Sequence, residues 1–351
     1  MPRAIPPKRE PALGYCPATD QPFPLEFDTR VHRLPGRMPQ PAVLPRISVV
    51  ICTRDRPDTI GSALDSVAAQ DYPDFDVLVV DQSRGDETER IVEATSRRFP
   101  RIRLLRLRTP GLSRAYNAGI REASADLVAF TDDDVVAPAG WLRSIAHAFA
   151  EHPAVGLLYG QVLVAPELEA RENRDGVTPA LTIPRREILD RAHGFRVFGM
   201  GANFAARRSL FERVGDFDEV LGGGGPLQSS QDFDFVYRVF KAGESTLLEP
   251  DVVVYHHGFR SFAEWPATMR SYGIGVGGFC FKHVRLGDLY ATWLLCRFLA
   301  AGTARVGKRL LTRRPVGDHR TYLSHIFAGM RRSLRFRIDR PRRLYITAEH
   351  T

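Results

Sequence analysis

This sequence holds little cysteine and no long apolar run. Its four cysteines, Cys16, Cys52, Cys280 and Cys296, show neither metal-ligand nor redox spacing, which argues against a zinc module, a C-x-x-C oxidoreductase and a disulfide scaffold. Cys52 sits inside an apolar segment and reads as a small core hydrophobe, a usage that suits a reducing cytosol. No uninterrupted apolar stretch approaches the roughly 20 residues of a membrane-spanning helix; the best candidate, 286–301, contains Asp288 and Arg297. The N-terminus lacks an apolar h-region, so no signal peptide and a cytoplasmic location are expected. No G-x-x-x-x-G-K-[ST] occurs, and no G-x-G-x-x-G follows a strand, so P-loop and dinucleotide readings lose support. The glycine-rich run 272–278 follows helical residues and reads as close helix packing or a mobile lid. No aromatic-basic recognition pattern points to nucleic acid.

What is present has size and polarity. The 351 residues, 44% hydrophobic, can build one large domain or two smaller ones. The formal charge of +8 is concentrated: residues 302–343 hold 13 Lys or Arg against two Asp. Such a segment suits a phosphate-rich surface, either anionic lipid or nucleic acid; a solvated charged face is the equal alternative. Residues 1–45 form a proline-rich arm. A compact pattern then begins, giving a division into 1–45, a main domain at 46–285 and a basic helical extension at 286–351.

From residue 47 short apolar runs alternate with helical patterns. Strands are predicted at 47–52, 77–80, 102–107 and 127–130, and helices at 57–69, 87–98 and 112–122. That rhythm predicts an α/β fold with a mostly parallel central sheet and right-handed crossovers. Further on, a helix is predicted at 141–151, a strand at 155–164, irregular chain at 166–200 and a helix at 205–214. A helix at 233–242 ends at Gly243, as a C-cap should. A strand follows at 252–255, and helices are predicted from 262 onward.

Three consecutive aspartates, Asp132, Asp133 and Asp134, follow the apolar run 127–131. Acids at the carboxyl end of a buried strand emerge where open α/β sheets bind ligands. Packed carboxylates repel one another and gain proton affinity unless a cation neutralises them. Mg²⁺ or Mn²⁺ prefers such oxygen ligands, usually beside substrate phosphates. The alternative is a solvated turn with Asp134 near a helix start. Other strand ends supply Thr53, Arg54, Asp55 and Asp81 to the same crevice. Thr53 and Asp81 suit a base and ribose, although Asp55 is equally a helix cap and Asp81 a turn former. The segment 111–119 offers Arg114 and Asn117 at a helix start.

These segments together resemble a family 2 glycosyltransferase with the nucleotide-sugar-binding GT-A fold. The run ISVVICTRDRP at 47–57 resembles that family's opening strand and turn, and VLVVD at 77–81 its second strand, whose acid recognises the nucleobase. GLSRAYNAG at 111–119 is similar to its glycine, arginine and asparagine helix, with Tyr116 where arginine is frequent. FTDDDV at 130–135 resembles its D-x-D motif. The resemblance implies that Asp132 contacts ribose or sugar and that Asp134 binds the metal. Residues 203–218 resemble the segment beside the acceptor. Gln231-Asp232 matches an E-D pair whose aspartate is the catalytic base, so Asp232 takes that role while Gln231 lacks the family's charge. His256 or His257 fits a histidine that completes the metal shell in some members, with His256 preferred.

The resemblance covers about 45–285 and implies inverting, metal-dependent transfer from a nucleotide-diphosphate sugar, UDP being the commoner nucleotide. It implies a donor site built by Thr53, Arg54, Asp55, Asp81, Arg114, Asn117, Asp132 and Asp133. The acceptor would be a carbohydrate or a lipid-linked sugar in polysaccharide, glycolipid or cell-envelope assembly. A sugar-nucleotide pyrophosphorylase would share the acidic site but needs an arginine-rich nucleotide loop that is not evident. A non-catalytic scaffold would have no use for the intact triplet and Asp232. Leu289, Trp293, Phe298 and Leu310 lie among basic residues and suit an interfacial helix on the cytoplasmic membrane face, or equally a core helix with a basic outer side.

Overall fold

In the computed structural model the described residues are 44–347, apart from 173, 197, 198 and 314. The proline-rich arm, save its last residues, and Cys16 lie outside them. The elements in order are β1 (Ile47–Thr53), α1 (Pro57–Ala68), β2 (Phe75–Asp81), α2 (Glu87–Arg98), β3 (Ile102–Arg106), α3 (Leu112–Glu122), β4 (Leu127–Asp132), β5 (Val135–Val136), α4 (Trp141–Glu151) and β6 (Val155–Val164). There follow β7 (Gly176–Val177), β8 (Glu187–Leu189), β9 (Asn203–Arg207), α5 (Arg208–Val214), α6 (Gln231–Ala242), β10 (Ser245–His256) and β11 (Arg260–Ser261). The chain ends in α7 (Trp265–Arg285), α8 (Leu289–Leu311), α9 (Gly317–Ser333), β12 (Arg337–Asp339) and β13 (Leu344–Ile346).

The main sheet runs β3-β2-β1-β4-β9-β6-β10-β5, with β8 on β10. Strands β1 to β4 are parallel, and β6 is parallel to β10. β9 enters antiparallel between β4 and β6. Both faces are covered, which is why β1 and β2 are buried throughout and mostly apolar rather than alternating. Side chains still alternate in destination. Val49, Ile51, Val77 and Val79 pack with α1 and α4, while Val50, Cys52, Leu78 and Val80 enter the second core on the opposite face. That second core centres on stacked Phe130 and Phe204, ring centroids 4.3 Å apart, with Tyr116 and Phe217 against them. Such ring pairs contribute about 0.5–1.5 kcal/mol each beyond burial.

The sequence reading needs correcting at three elements. Residues 205–207 are strand, not helix: the helix predicted at 205–214 begins only at Arg208. Alanine-rich chain favours helix in isolation, but Phe204, Ala205 and Ala206 are fully buried between β4 and β6, and sheet pairing wins. The strand predicted at 252–255 extends over twelve residues, Ser245–His256, because Pro250 and Asp251 sit in a register shift between Glu249 and Val253 rather than ending the strand. The C-terminus is not wholly helical; β12 and β13 form a hairpin.

The C-terminal helices and hairpin pack onto the rest of the described chain. A side chain at Gly273 or Gly277 of α7 would run into the Tyr322 and Ile326 carbonyls of α9, and one at Gly329 of α9 into the Ile274 carbonyl. The glycine-rich run is thus a close helix contact within α7. Lys282 of α7 is fully buried between Asp218 and Asp234, 2.7 Å from each. The hairpin joins this cluster: the Tyr345 backbone N–H donates to Asp218 at 2.9 Å, and its hydroxyl donates to the Gly278 carbonyl.

Candidate active site

The carboxyl ends of β1 and β4 open onto a cavity of about 660 Å³. The end of β10, the start of α6 and the glycine loop 222–225 complete its walls, and α7 and α9 add Tyr272 and Tyr322. Asp132 closes β4, and the chain turns at once into β5, which pairs with the end of β10 and sets His256 opposite Val135. This pairing gathers one oxygen of Asp132, one of Asp134 and a ring nitrogen of His256 within 4.8 Å of one another.

The electrostatics of the triplet are uneven. Asp132 is pushed up to about 7, first by burial and then by the neighbouring Asp134 charge. Asp134 is held at about 2: burial alone would raise it, but His256 and Arg56 outweigh that. Asp133 is raised by burial, against the pull of Arg56 and the Thr53 hydroxyl. Thr53 Oγ1 donates to Asp133 at 2.6 Å. Arg56 Nη1 bridges Asp133 at 3.0 Å and Asp134 at 2.8 Å from a half-exposed position. Burial pulls His256 down, but its contact with Asp134 prevails and its pKa lies above the usual value.

These groups fit a divalent cation. His256 Nδ1 lies 2.7 Å from the Pro179 carbonyl, so Nδ1–H donates there and Nε2 turns to the carboxylates, an orientation typical of metal-binding imidazole. Nε2 lies 3.2 Å from Asp134 Oδ1, a buried oxygen with no hydrogen bond. Gly258 leaves the space open: a Cβ there would lie 2.5 Å from Asp134 Oδ2 and 2.6 Å from His256 Nε2. Two carboxylates suit Mg²⁺ or Mn²⁺, and the imidazole adds a nitrogen donor.

Asp232 lines the same cavity, one residue into α6. Ser230 just before the helix is left-handed, as is Gln228, in a loop where Gly222 and Gly224 also have positive φ. Non-glycine residues in that region are strained and cluster at functional sites. Burial pushes Asp232 up to about 6, while the Phe233 amide, donating at 2.9 Å, pulls the other way. Near pH 7 such a carboxylate is mostly ionised and still basic enough to take a proton.

Of the residues singled out in the sequence, Thr53, Arg54, Tyr116, Asp132, Asp133, Asp134, Gln231, Asp232 and His256 line this cavity. The others do not. Asp81 is fully buried at the end of β2, where Oδ1 accepts from the Ser83 amide and Oδ2 lies 3.1 Å from Arg106 without a hydrogen bond. Asp55 has a left-handed backbone and accepts from the Arg84 amide at 2.9 Å, so it is not the cap of α1. Asn117 is buried and clamps the turn after α5, donating to the Phe217 carbonyl and accepting from the Phe217 amide. Arg114 pairs with Glu219 at 3.3 Å. His257 turns away to Glu167. Sequence reasoning passed over Arg56, Gln82 and Tyr322. Arg56 closes the Thr-Arg-Asp-Arg run after β1, where a cation beside an acid triplet was a usable signal. Tyr322 lies on α9, and nothing in the local pattern ties it to the site.

Comparison with known proteins agrees with this geometry. Residues 48–215 match the family described as glycosyl transferase family 2. This segment, just under half of the chain, is of that family. Among curated relatives, a pre-mycofactocin glycosyltransferase of Mycobacterium tuberculosis is 28% identical over 193 residues, covering 53% of this chain and 40% of its own. The uncharacterized glycosyltransferase EpsJ of Bacillus subtilis is 29% identical over 234 residues, covering 64% of each. The chain thus spans less than two thirds of the length of either relative. Among solved structures, mannosyltransferase PcManGT of Pyrobaculum calidifontis, in complex with GDP-Man and Mn²⁺, is 21% identical with a TM-score of 0.56, covering 85% of this chain and 89% of that one. The chain thus has the GT-A fold, a mixed α/β arrangement with a helical C-terminal part.

Proposed function

We propose that this family 2 glycosyltransferase moves a sugar from a nucleotide-diphosphate donor, a UDP-sugar in the first instance, to an acceptor hydroxyl with inversion. The observation that carries the reading is the gathering of Asp132, Asp134 and His256 in one cavity with the raised carboxylate of Asp232. Asp134 and His256 would hold Mn²⁺ or Mg²⁺, with Asp132 beside them. When bound, the cation neutralises the charge that develops on the leaving diphosphate. Thr53, Arg54, Asp132 and Asp133 bind and orient the donor's ribose and sugar. Asp81, buried at the end of β2 beside Arg106, supports the base subsite from behind the wall. Asp55, Arg114 and Asn117 act behind the wall, fixing the Arg84 turn and the 217–219 turn. Asp232 Oδ takes the acceptor hydroxyl's proton as that oxygen bonds the anomeric carbon and the nucleoside diphosphate leaves, and a single displacement without a covalent intermediate inverts that carbon, as in the two-carboxylate logic of glycoside chemistry.

The acceptor is a carbohydrate or a lipid-linked sugar of envelope or polysaccharide assembly. Among the described residues no helix is long and apolar enough to cross a membrane. The face of α8 nevertheless exposes Leu289, Trp293, Leu310 and Leu311 beside Arg297 and Lys308. That combination suits shallow, salt-sensitive docking on an anionic cytoplasmic leaflet. The test is a panel of nucleotide sugars with the purified protein. Mn²⁺-dependent binding and slow donor hydrolysis, both abolished by chelator, are expected. Metal-independent binding of every donor at the same affinity refutes the assignment.

A further inference from the structure

A second cleft lies next to the donor cavity. It encloses about 480 Å³ between Pro226 and the end of α9, and its lining is Pro226, Arg331, Arg332, Arg335 and Phe336. Three arginines line it, and among the described residues no carboxylate pairs with any of them within 4.0 Å. Elsewhere on this surface arginines are commonly paired, as Arg213 is with Glu244 and Arg343 with Asp288.

The ordinary explanation of arginines at a helix C-terminus is that they serve its unpaired carbonyls and dipole. Here those carbonyls are otherwise engaged. The amides of Leu334, Arg335 and Phe336 donate to the carbonyls of Arg331, Arg332 and Ser333. Arg285 from α7 donates to the Ser333 carbonyl at 2.7 Å and to the Phe336 carbonyl at 2.9 Å. The three guanidiniums that line the cleft are not needed for those carbonyls. The backbone beneath them is firm, since Ser333 is fully buried and Gly329 seats α9 against α7.

The cleft and the donor cavity share one loop. Gly223 and Gly224 line the donor cavity, Pro226 lines the cleft, and Gln228 lines the donor cavity again. We propose that this cleft is a phosphate-binding subsite, in which Arg331, Arg332 and Arg335 anchor a phosphate or diphosphate ester beside the site of sugar transfer. Planar, always charged guanidiniums without carboxylate partners suit bidentate capture of phosphate oxygens. The ester belongs either to a lipid headgroup or to a soluble phosphorylated acceptor. That last step rests on the glycosyltransferase reading; the binding of phosphate does not.

The test uses the full chain in chelator, so that a metal-dependent diphosphate site stays silent. Inorganic phosphate and pyrophosphate are titrated calorimetrically at ionic strength matched with chloride, against wild type and the R331Q/R332Q/R335Q variant. Saturable binding by wild type is expected, weakened about tenfold or more in the variant, since each lost charge-assisted pair is worth roughly a factor of ten. The R331K/R332K/R335K variant keeps the charge and should fall between; it carries the comparison if the glutamine variant melts early. In a second arm, phosphatidylcholine vesicles with and without phosphatidic acid are sedimented with each protein. Phosphatidic-acid-dependent capture lost in the variant assigns a lipid headgroup, and binding in solution alone assigns a soluble ester. Equal phosphate binding by wild type and both variants, or an equal response to chloride, overturns the subsite. Mn²⁺-dependent nucleotide-sugar binding should be unchanged in all variants. If it is absent even in wild type while phosphate binding holds, the transferase reading fails and the subsite stands.

Discussion

Replacing Gly258 by alanine tests the metal site without removing any ligand. The added Cβ would lie 2.5 Å from Asp134 Oδ2 and 2.6 Å from His256 Nε2. Ordinary carbon contacts begin at about 3.5 Å, so the two ligands must retreat by roughly 0.9–1.0 Å. Metal sites hold their distances to within about 0.2 Å, so the displacement exceeds the tolerance several-fold. Changes that merely misorient a ligand already lose about 10–100-fold in affinity, and G258A should reach or exceed the upper end. The assay is thermal melting with and without Mn²⁺. At 100 times its Kd, a cation that binds only the folded state adds about 2.7 kcal/mol; with affinity lowered about 100-fold the gain falls to about 0.4 kcal/mol. For a chain of this size the wild-type gain corresponds to roughly 5–11 °C, and the variant's to under about 2 °C. An equal Mn²⁺-induced shift in G258A and wild type refutes the placement of the cation between Asp134 and His256.

Asp232→Asn should leave Mn²⁺-dependent donor binding intact and lower transfer by about 10²–10⁴-fold in a single-turnover assay. Because the base works deprotonated and burial places Asp232 at about 6, beside the buried phenols of Tyr116 and Tyr159, wild-type transfer should fall as pH drops through about 6 and level above it. Lys282→Met should destabilise by about 3–5 kcal/mol in urea unfolding, since Asp218 and Asp234 would remain buried without their shared cation. His283 is held at about 4 by burial and stays neutral where the unfolded chain protonates, so stability should be lost as pH falls from about 6.5 to about 4. Gly277→Ala should destabilise by about 1–3 kcal/mol through its collision with the Ile326 carbonyl, despite a helix-propensity gain of about 1 kcal/mol; a stabilised variant would contradict the close packing of α7 on α9.

The parallel half of the fold was legible because both of its faces are buried. Continuous apolar runs at β1, β2 and β4, each ending in an acid or hydroxyl, announce strand and site together. The later half was not, for a reason visible at β9. Asn-Phe-Ala-Ala-Arg carries no strong local preference, and its state is decided by neighbours contributed from positions 127–131 and 157–159. The same holds at β10, where Pro250 reads locally as a break and is absorbed in a bulge. Asn117 shows how a motif can be found and its place misjudged. A polar residue beside an arginine at a helix start suggests a ligand contact, but its amide is spent on both backbone groups of Phe217. Which side of α3 faces the cavity depends on packing that local sequence does not encode.

The division at 285/286 fares differently. Composition changes there, from mixed charge to strongly basic, and composition alone suggests an appended tail. Packing points the other way: Tyr322 and Ile326 of α9 are buried, Tyr322 lines the donor cavity, and Tyr345 bonds Asp218 in the cluster that holds the root of α6. Deleting residues from 302 would therefore expose core and remove part of the site's wall, so truncation cannot isolate membrane attraction from folding. Charge reversal confined to the exposed face of α8, at Arg297 and Lys308, can. Each basic residue near an anionic surface adds about 1 kcal/mol, and each reversal removes one attraction and adds one repulsion. R297E/K308E should thus release the protein from anionic vesicles at low salt while its melting temperature holds. Undiminished partitioning of that variant would move the contact to another face, with the arginine cleft at the end of α9 the next to be tested.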